Sequence, residues 1–200
     1  KGNHLYNPGT RTFPAPIGKY LAIELNCPNG QTVLFLDTET GSTTQPVTAS
    51  DAHFLAWTSD GKAVYLKIDS LGNPQVIRAY TDGAKDILAI PEFTYDLSAK
   101  PDSYDFTFTL SRGLGSGSEL YLAGHDGRIR TLLYADQYNY LSFARFSPDG
   151  KQLFYTTFDG NYVQWIYALK GGTPRRFSEE NAVQCWGVWT KDGGSIVYNM

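Results

Sequence analysis

The side chains in this chain that could do chemistry are few and widely separated. Its three histidines, His4, His53 and His125, lie far apart in sequence, so none has a partner at metal-ligand spacing. Its two cysteines, Cys27 and Cys185, are too few for a structural zinc site and form no C-x-x-C pair. They read as two unbridged thiols. Neither G-x-S-x-G nor H-E-x-x-H occurs. Gly113-Leu114-Gly115-Ser116-Gly117 has the glycine content of a phosphate cradle. It lacks the following Lys-[Ser/Thr] and the strand-to-helix setting, so it reads as an inserted loop. Aspartate recurs before glycine at Asp60, Asp149 and Asp192, one acid per turn where a calcium loop needs several. Such an aspartate accepts backbone N–H bonds while its glycine takes a positive φ. No residue is assigned a catalytic, cofactor-binding or metal-binding role.

The elements that carry these residues repeat. Phe146-Ser147-Pro148-Asp149-Gly150-Lys151 is the clearest copy of a unit built from an aromatic residue, a small polar pair, Asp-Gly and an alternating apolar run. Trp57-Thr58-Ser59-Asp60-Gly61-Lys62 and Trp189-Thr190-Lys191-Asp192-Gly193 repeat it, and Pro16-Ile17-Gly18-Lys19 keeps the proline, glycine and lysine without the acid. The turn glycines at 18, 61, 150 and 193 are spaced by 43, 89 and 43 residues, a period near 44 with one degenerate copy in the middle. In that copy Tyr104 to Leu110 and Glu119 to Ala123 alternate as strands, Ser111 to Ser118 stands where a four-residue turn is expected, and Pro91 to Pro101 reads as a long linker. This repeat carries the insertions, where binding chemistry is commonly grafted.

Each repeat supplies four short strands. In the best copy they are Leu141 to Phe146, Lys151 to Thr156, Tyr162 to Leu169 and Pro174 to Phe177, with Phe158-Asp159-Gly160-Asn161 as a hairpin signal. In the second they are Phe54 to Trp57, Ala63 to Ile68, Gln75 to Tyr80 and Ala84 to Leu88. Four antiparallel strands in about 44 residues make one blade of a β-propeller. The predicted fold is therefore all-β, with repeats near residues 1–48, 52–90, 102–138 and 140–178 and the first two strands of a fifth at 182–200. About four and a half blades are expected across residues 1–200. A raw edge after the last strand points either to a larger propeller or to closure of the last blade by Lys1 to Phe13. Trp57, Trp186 and Trp189 in or beside first strands, and Trp165 in a third, suit packing between blades. His53, next to an innermost strand, reads as a structural histidine. Arg175-Arg176 and Glu179-Glu180 read as solvated ends of the fourth blade.

The aromatic-Ser-Pro-Asp-Gly-Lys turn resembles the WD40-like PD40 repeats of the TolB propeller superfamily, over nearly the whole chain. Aspartate is missing from the first copy, proline from the Trp57 and Trp189 copies and the whole motif from the third. The resemblance implies the fold strongly and function weakly, because similar blades occur in TolB-like periplasmic proteins, tricorn-type proteases and the gating propellers of prolyl oligopeptidase relatives. It also implies a periplasmic, cell-envelope or extracellular setting.

Composition fits this reading. Charged residues make up 18% of the chain, while 14 tyrosines, 11 phenylalanines and 20 glycines favour strands and turns. A formal charge of −3 with scattered basic residues argues against a nucleic-acid partner. No apolar run approaches the roughly 18 residues of a membrane span. The expected function is a non-catalytic interaction or scaffold propeller that needs no cofactor and binds a protein partner through its loop faces. The alternative is the gating propeller of a prolyl-oligopeptidase-type serine peptidase whose catalytic domain lies outside this chain. A propeller lyase or lactonase ranks below both, since it needs His and carboxylates converging on the axis.

Overall fold

The computed structural model describes residues 10–27, 30–47, 51–68, 75–88, 90, 94–101, 103–111, 117–136, 140–158, 160–177 and 187–198. All regular structure among them is strand. The chain divides into two compact units, Lys1–Leu88 and Ala89–Met200.

The first unit holds two four-stranded antiparallel sheets. The first is β1 (Arg11–Pro14), β2 (Tyr20–Cys27), β3 (Gly30–Asp37) and β4 (Thr43–Thr44), hydrogen-bonded in chain order. The second is β5 (Ala52–Trp57), β6 (Ala63–Ile68), β7 (Gln75–Tyr80) and β8 (Lys85–Leu88), again in chain order. Alternation along β2 buries Ala22 and Glu24 on one face. That face, with Val33 and Phe35, packs on Trp57, Val64, Leu66, Ile77 and Ala79 of the second sheet. Each of the larger aliphatic and aromatic side chains in this layer contributes about 1.5–3 kcal/mol by leaving water.

The second unit holds β9 (Thr94–Ala99), β10 (Phe106–Ser111), β11 (Ser118–Ala123) and β12 (Ile129–Asp136) as one sheet. A further sheet comprises β13 (Tyr140–Phe146), β14 (Gln152–Phe158), β15 (Tyr162–Ala168) and β16 (Arg175–Arg176). A two-stranded sheet follows, β17 (Gly187–Trp189) and β18 (Ile196–Tyr198). Leu120 meets Leu141, Ala144, Phe146, Leu153 and Tyr155 in one core layer, and Phe154 and Ile166 meet Ile196 in the next. These are the blades of a β-propeller, four of them complete among the described residues.

The four anchored turn glycines are equivalent, with φ of 92° at Gly18, 67° at Gly61, 65° at Gly150 and 71° at Gly193. The third blade departs from expectation. Its first strand, β9, lies inside the Pro91 to Pro101 stretch read as a linker, so this blade begins near Thr94 and not at 102. The turn after β9 runs from Lys100 to Asp105 and closes without glycine, the Asp105 N–H donating to the Ser103 hydroxyl at 2.9 Å. The Ser111 to Ser118 insertion consequently joins the second and third strands, and it does not replace the first turn.

Candidate binding surface

Antiparallel order gives each four-stranded blade two chemically distinct ends. At one end lie the turns after its first and third strands. At the other lie the connection between its second and third strands and the entry to its first.

The first end is fixed by one repeated device. The Thr58 hydroxyl donates to Asp60 at 2.7 Å, Ser147 to Asp149 at 2.7 Å and Thr190 to Asp192 at 2.6 Å. The same three carboxylates accept the N–H groups of Lys62, Lys151 and Gly194 at 3.0–3.1 Å. The hydroxyl oxygens in turn accept the N–H of Ala63, Gln152 and Ser195. Hydrogen bonds from Ser147 and then from the Lys151 N–H hold the Asp149 carboxyl below its ordinary range, and Thr190 and the Gly194 N–H do the same for Asp192. These aspartates serve the turns. Gly61 also has no room for a side chain, since a Cβ there would lie 2.3 Å from the Ile17 carbonyl oxygen of the neighbouring blade's turn.

The tryptophans tie successive blades. The Trp57 indole N–H donates to the Phe13 carbonyl at 2.8 Å, and that of Trp189 to the Arg145 carbonyl at 3.2 Å. Both bonds reach back 44 residues, one repeat. Trp165 donates within its own blade, to Thr157 at 2.9 Å, while its ring packs on the layer that Leu120 of the preceding blade shares with Leu141 and Leu153. Trp186 lies outside the described residues.

Nearer the other end, the first strands are irregular. Register shifts bulge β5 between Phe54 and Ala56 and β13 between Ser142 and Arg145. Bulges free a backbone N–H from the ladder, and a carboxylate from the preceding blade takes it in each case, buried at Glu24 and half-buried at Asp96. Glu24, only 2% exposed, accepts the Phe54 N–H at 2.8 Å and is paired with Arg11. Asp96 accepts the Ala144 N–H at 3.1 Å and the Arg145 guanidinium at 2.9 Å. Each arginine also lies 5.7 Å from a ring centroid, Arg11 over Phe13 and Arg145 over Phe143. Phe143 stands in the left-handed region at φ 56°. None of Arg11, Glu24, Asp96 or Arg145 has a sequence signature: Arg11 and Glu24 meet only once β1 and β2 are in register, and Asp96 and Arg145 only when two blades meet.

The loop-end residues of the first unit include half-buried His53, whose Cα partner across the sheet is Lys67, and Asp51, whose carboxylate accepts the Gln31 N–H at 3.2 Å. In the second unit Tyr140, Phe158 and Tyr162 stand in one cross-strand row, with Tyr140 and Phe158 exposed. The Phe158 and Tyr162 ring centroids are 4.7 Å apart. Cys27 ends β2 as a free, exposed thiol. His125 is exposed in the Gly124 to Arg128 turn, at the opposite end of its blade. His4, Cys185, the glycines at 113 and 115, and Glu179-Glu180 lie outside the described residues. Arg175 and Arg176 are exposed on β16. Among the described residues no group of three His, Cys, Asp or Glu side chains is placed to hold a metal ion.

No family model and no curated protein matches the chain. Solved structures do. TolB from Acinetobacter baumannii superposes with a TM-score of 0.68 at 19% identity, over 94% of this chain and 46% of that one. A TolB from Agrobacterium tumefaciens, described as putative, gives 0.76 at 16% identity over 94% and 68%. An oligogalacturonate lyase from Vibrio parahaemolyticus gives 0.73 at 15% identity over 96% and 58%. Peptidases share the fold as well. The chain thus spans about half the length of the first of these relatives, and the likeness establishes the β-propeller fold that TolB proteins, lyases and peptidases have in common.

Proposed function

We propose that this chain is a non-catalytic segment of a larger β-propeller that holds a protein partner against the loop ends of its blades. The observation that carries the reading is the contrast between the two ends of each sheet. One end repeats a single hydrogen-bonded turn at Asp60, Asp149 and Asp192. The other varies in sequence and spacing, Cys27 and Gly30 standing close along the chain while Thr44 and Ala52, or Ile68 and Gln75, stand farther apart. A scaffold keeps its frame constant and varies its contact loops. The carboxylates nearest the loop end support the same reading, because Glu24 on β2 and Asp96 on β9 are committed to holding bulges of the neighbouring blade. Exposed Tyr140 and Phe158 supply the aromatic surface that protein interfaces favour. The resemblance to TolB proteins favours the periplasm or cell envelope as the compartment.

A second reading is the gating propeller of a serine peptidase, favoured by the fold shared with an acylaminoacyl peptidase that this chain matches over 35% of its length. Treating the full-length protein with a fluorophosphonate probe separates the two. The scaffold reading expects no covalent labelling. A labelled serine beyond this segment would replace it with the peptidase reading.

A further inference from the structure

We propose that Arg145 takes a carboxylate of the protein partner, carried on an extended segment that enters past the loop ends and runs along β13. The proposal rests on the scaffold reading above and names the chemistry of its partner. A guanidinium grips a carboxylate best through two parallel N–H groups, and the edge formed by Nε and one Nη offers such a pair. Arg11 turns that edge to Glu24, and Arg78 turns it to Asp86. Arg145 does not. Its hydrogen bonds all leave from Nη1, to Asp96 at 2.9 and 3.0 Å and to the Ala144 carbonyl at 2.8 Å. Its Nε and Nη2 have no acceptor among the described residues, and the side chain is 37% exposed.

The backbone beside it is strained beyond what the bulge requires. Phe143 lies at φ 56°, a conformation that a bulky residue rarely adopts. The β5 bulge delivers its N–H to Glu24 with no left-handed residue between Phe54 and Ala56. Capturing a bulge N–H therefore does not call for the strain at Phe143. That strain accompanies the setting of the guanidinium, whose carbon lies 5.7 Å from the Phe143 ring centroid while Nη1 is fixed on Asp96. Backbone strain of this kind gathers at binding sites, and a group already fixed loses little freedom when a ligand arrives. Asp96 offsets the charge of Arg145, so the site selects by the two-donor geometry of its open edge. The depth also suits an inserted segment. Arg145 is the Cα partner of Phe154 and Tyr140 that of Phe158, four residues nearer the loop end. Four steps of strand cover roughly 13 Å. A segment that covers exposed Tyr140 and Phe158 thus brings an acidic residue about four positions on to Arg145.

Nuclear magnetic resonance of the full-length protein, followed at the arginine Nε–H groups, tests the site with two synthetic peptides. One is acetyl-Tyr-Ala-Ala-Ala-Glu-amide and the other ends in Gln in place of Glu. The Glu peptide should shift the Arg145 Nε–H signal saturably and bind at least about fivefold more tightly than the Gln peptide. Arg145→Lys keeps the charge but lacks the fork and should lose that preference. Arg176→Lys, on exposed β16, should keep it. The comparison of the two peptides on the wild type carries the test even if Arg145→Lys folds poorly. An Arg145 signal unmoved by the Glu peptide at its highest soluble concentration would overturn the proposal. So would equal binding of the Gln peptide, or an Arg145→Lys variant that still prefers Glu. If a loop-end crosslink captures a partner in that event, the scaffold reading stands and only the role of Arg145 falls.

Discussion

Replacing Glu24 probes the tie between neighbouring blades at its most buried point. The carboxylate has two tasks, pairing with Arg11 and accepting the Phe54 N–H at 2.8 Å. In Glu24→Ala the Phe54 N–H is left at a bulge with no acceptor, which costs about 1–3 kcal/mol. Loss of the one buried methylene, Cγ, adds roughly 0.8 kcal/mol. Arg11 is 61% exposed and turns to water, so its share is below about 1 kcal/mol. Relief from burying a charge offsets part of the total. The net expectation is about 2 kcal/mol for Glu24→Ala. Glu24→Gln keeps one oxygen for the Phe54 N–H and loses the charge, for about 1 kcal/mol. Urea unfolding followed by tryptophan fluorescence measures both, and the midpoint should fall at an unchanged slope. A Glu24→Ala midpoint equivalent to less than about 0.5 kcal/mol of destabilisation would refute the reasoning, because surface substitutions already lie in that range.

Three further outcomes follow from the same geometry. Gly61→Ala should destabilise by about 3 kcal/mol, combining left-handed backbone strain with the clash at the Ile17 carbonyl, whereas Gly83→Ala, with open space around it, should show the strain alone. Below about pH 4 the protein should lose stability progressively, because Asp149 and Asp192 titrate lower folded than unfolded; their turn bonds stabilise fully above the ordinary carboxylate pKa and fade as the pH falls through the lowered one. Asp149→Asn and Asp192→Asn should each flatten that acid limb in a pH series of urea midpoints. Burial pushes the Tyr65 phenol up to about 12, against the pull of nearby Arg78, so its contribution is complete below the unfolded value near 10 and is lost as the pH rises toward 12. Tyr65→Phe should therefore remove part of the alkaline destabilisation, seen by ultraviolet tyrosinate titration alongside melting curves.

What the sequence disclosed follows the range of each interaction. The Asp-Gly turns were legible because their bonds are local, two residues from Ser147 to Asp149 and from Lys151 to Asp149 and five from Gln152 to Ser147. The tryptophan ties left a partial trace, since Trp57 and Trp189 sit at matching points of the repeat. β9 was hidden because Thr94–Ala99 lies between prolines and is followed by a turn that uses Ser103 where the other copies use Asp-Gly. The Glu24 and Asp96 ties were not legible at all. They join residues 30 and 48 positions apart across blades, at bulges whose location depends on register. The aromatic row of Tyr140, Phe158 and Tyr162 likewise appears only once three strands are aligned.

The scaffold account is tested most directly by photo-crosslinking from opposite blade ends. A benzophenone side chain is placed at Lys67 or Asn161 on the loop end, and at Lys62 or Lys151 on the turn end, with irradiation in cells. The account predicts one discrete crosslinked protein from the loop-end positions and none from the turn-end positions. Crosslinking from the turn end alone, or from neither end, would contradict it.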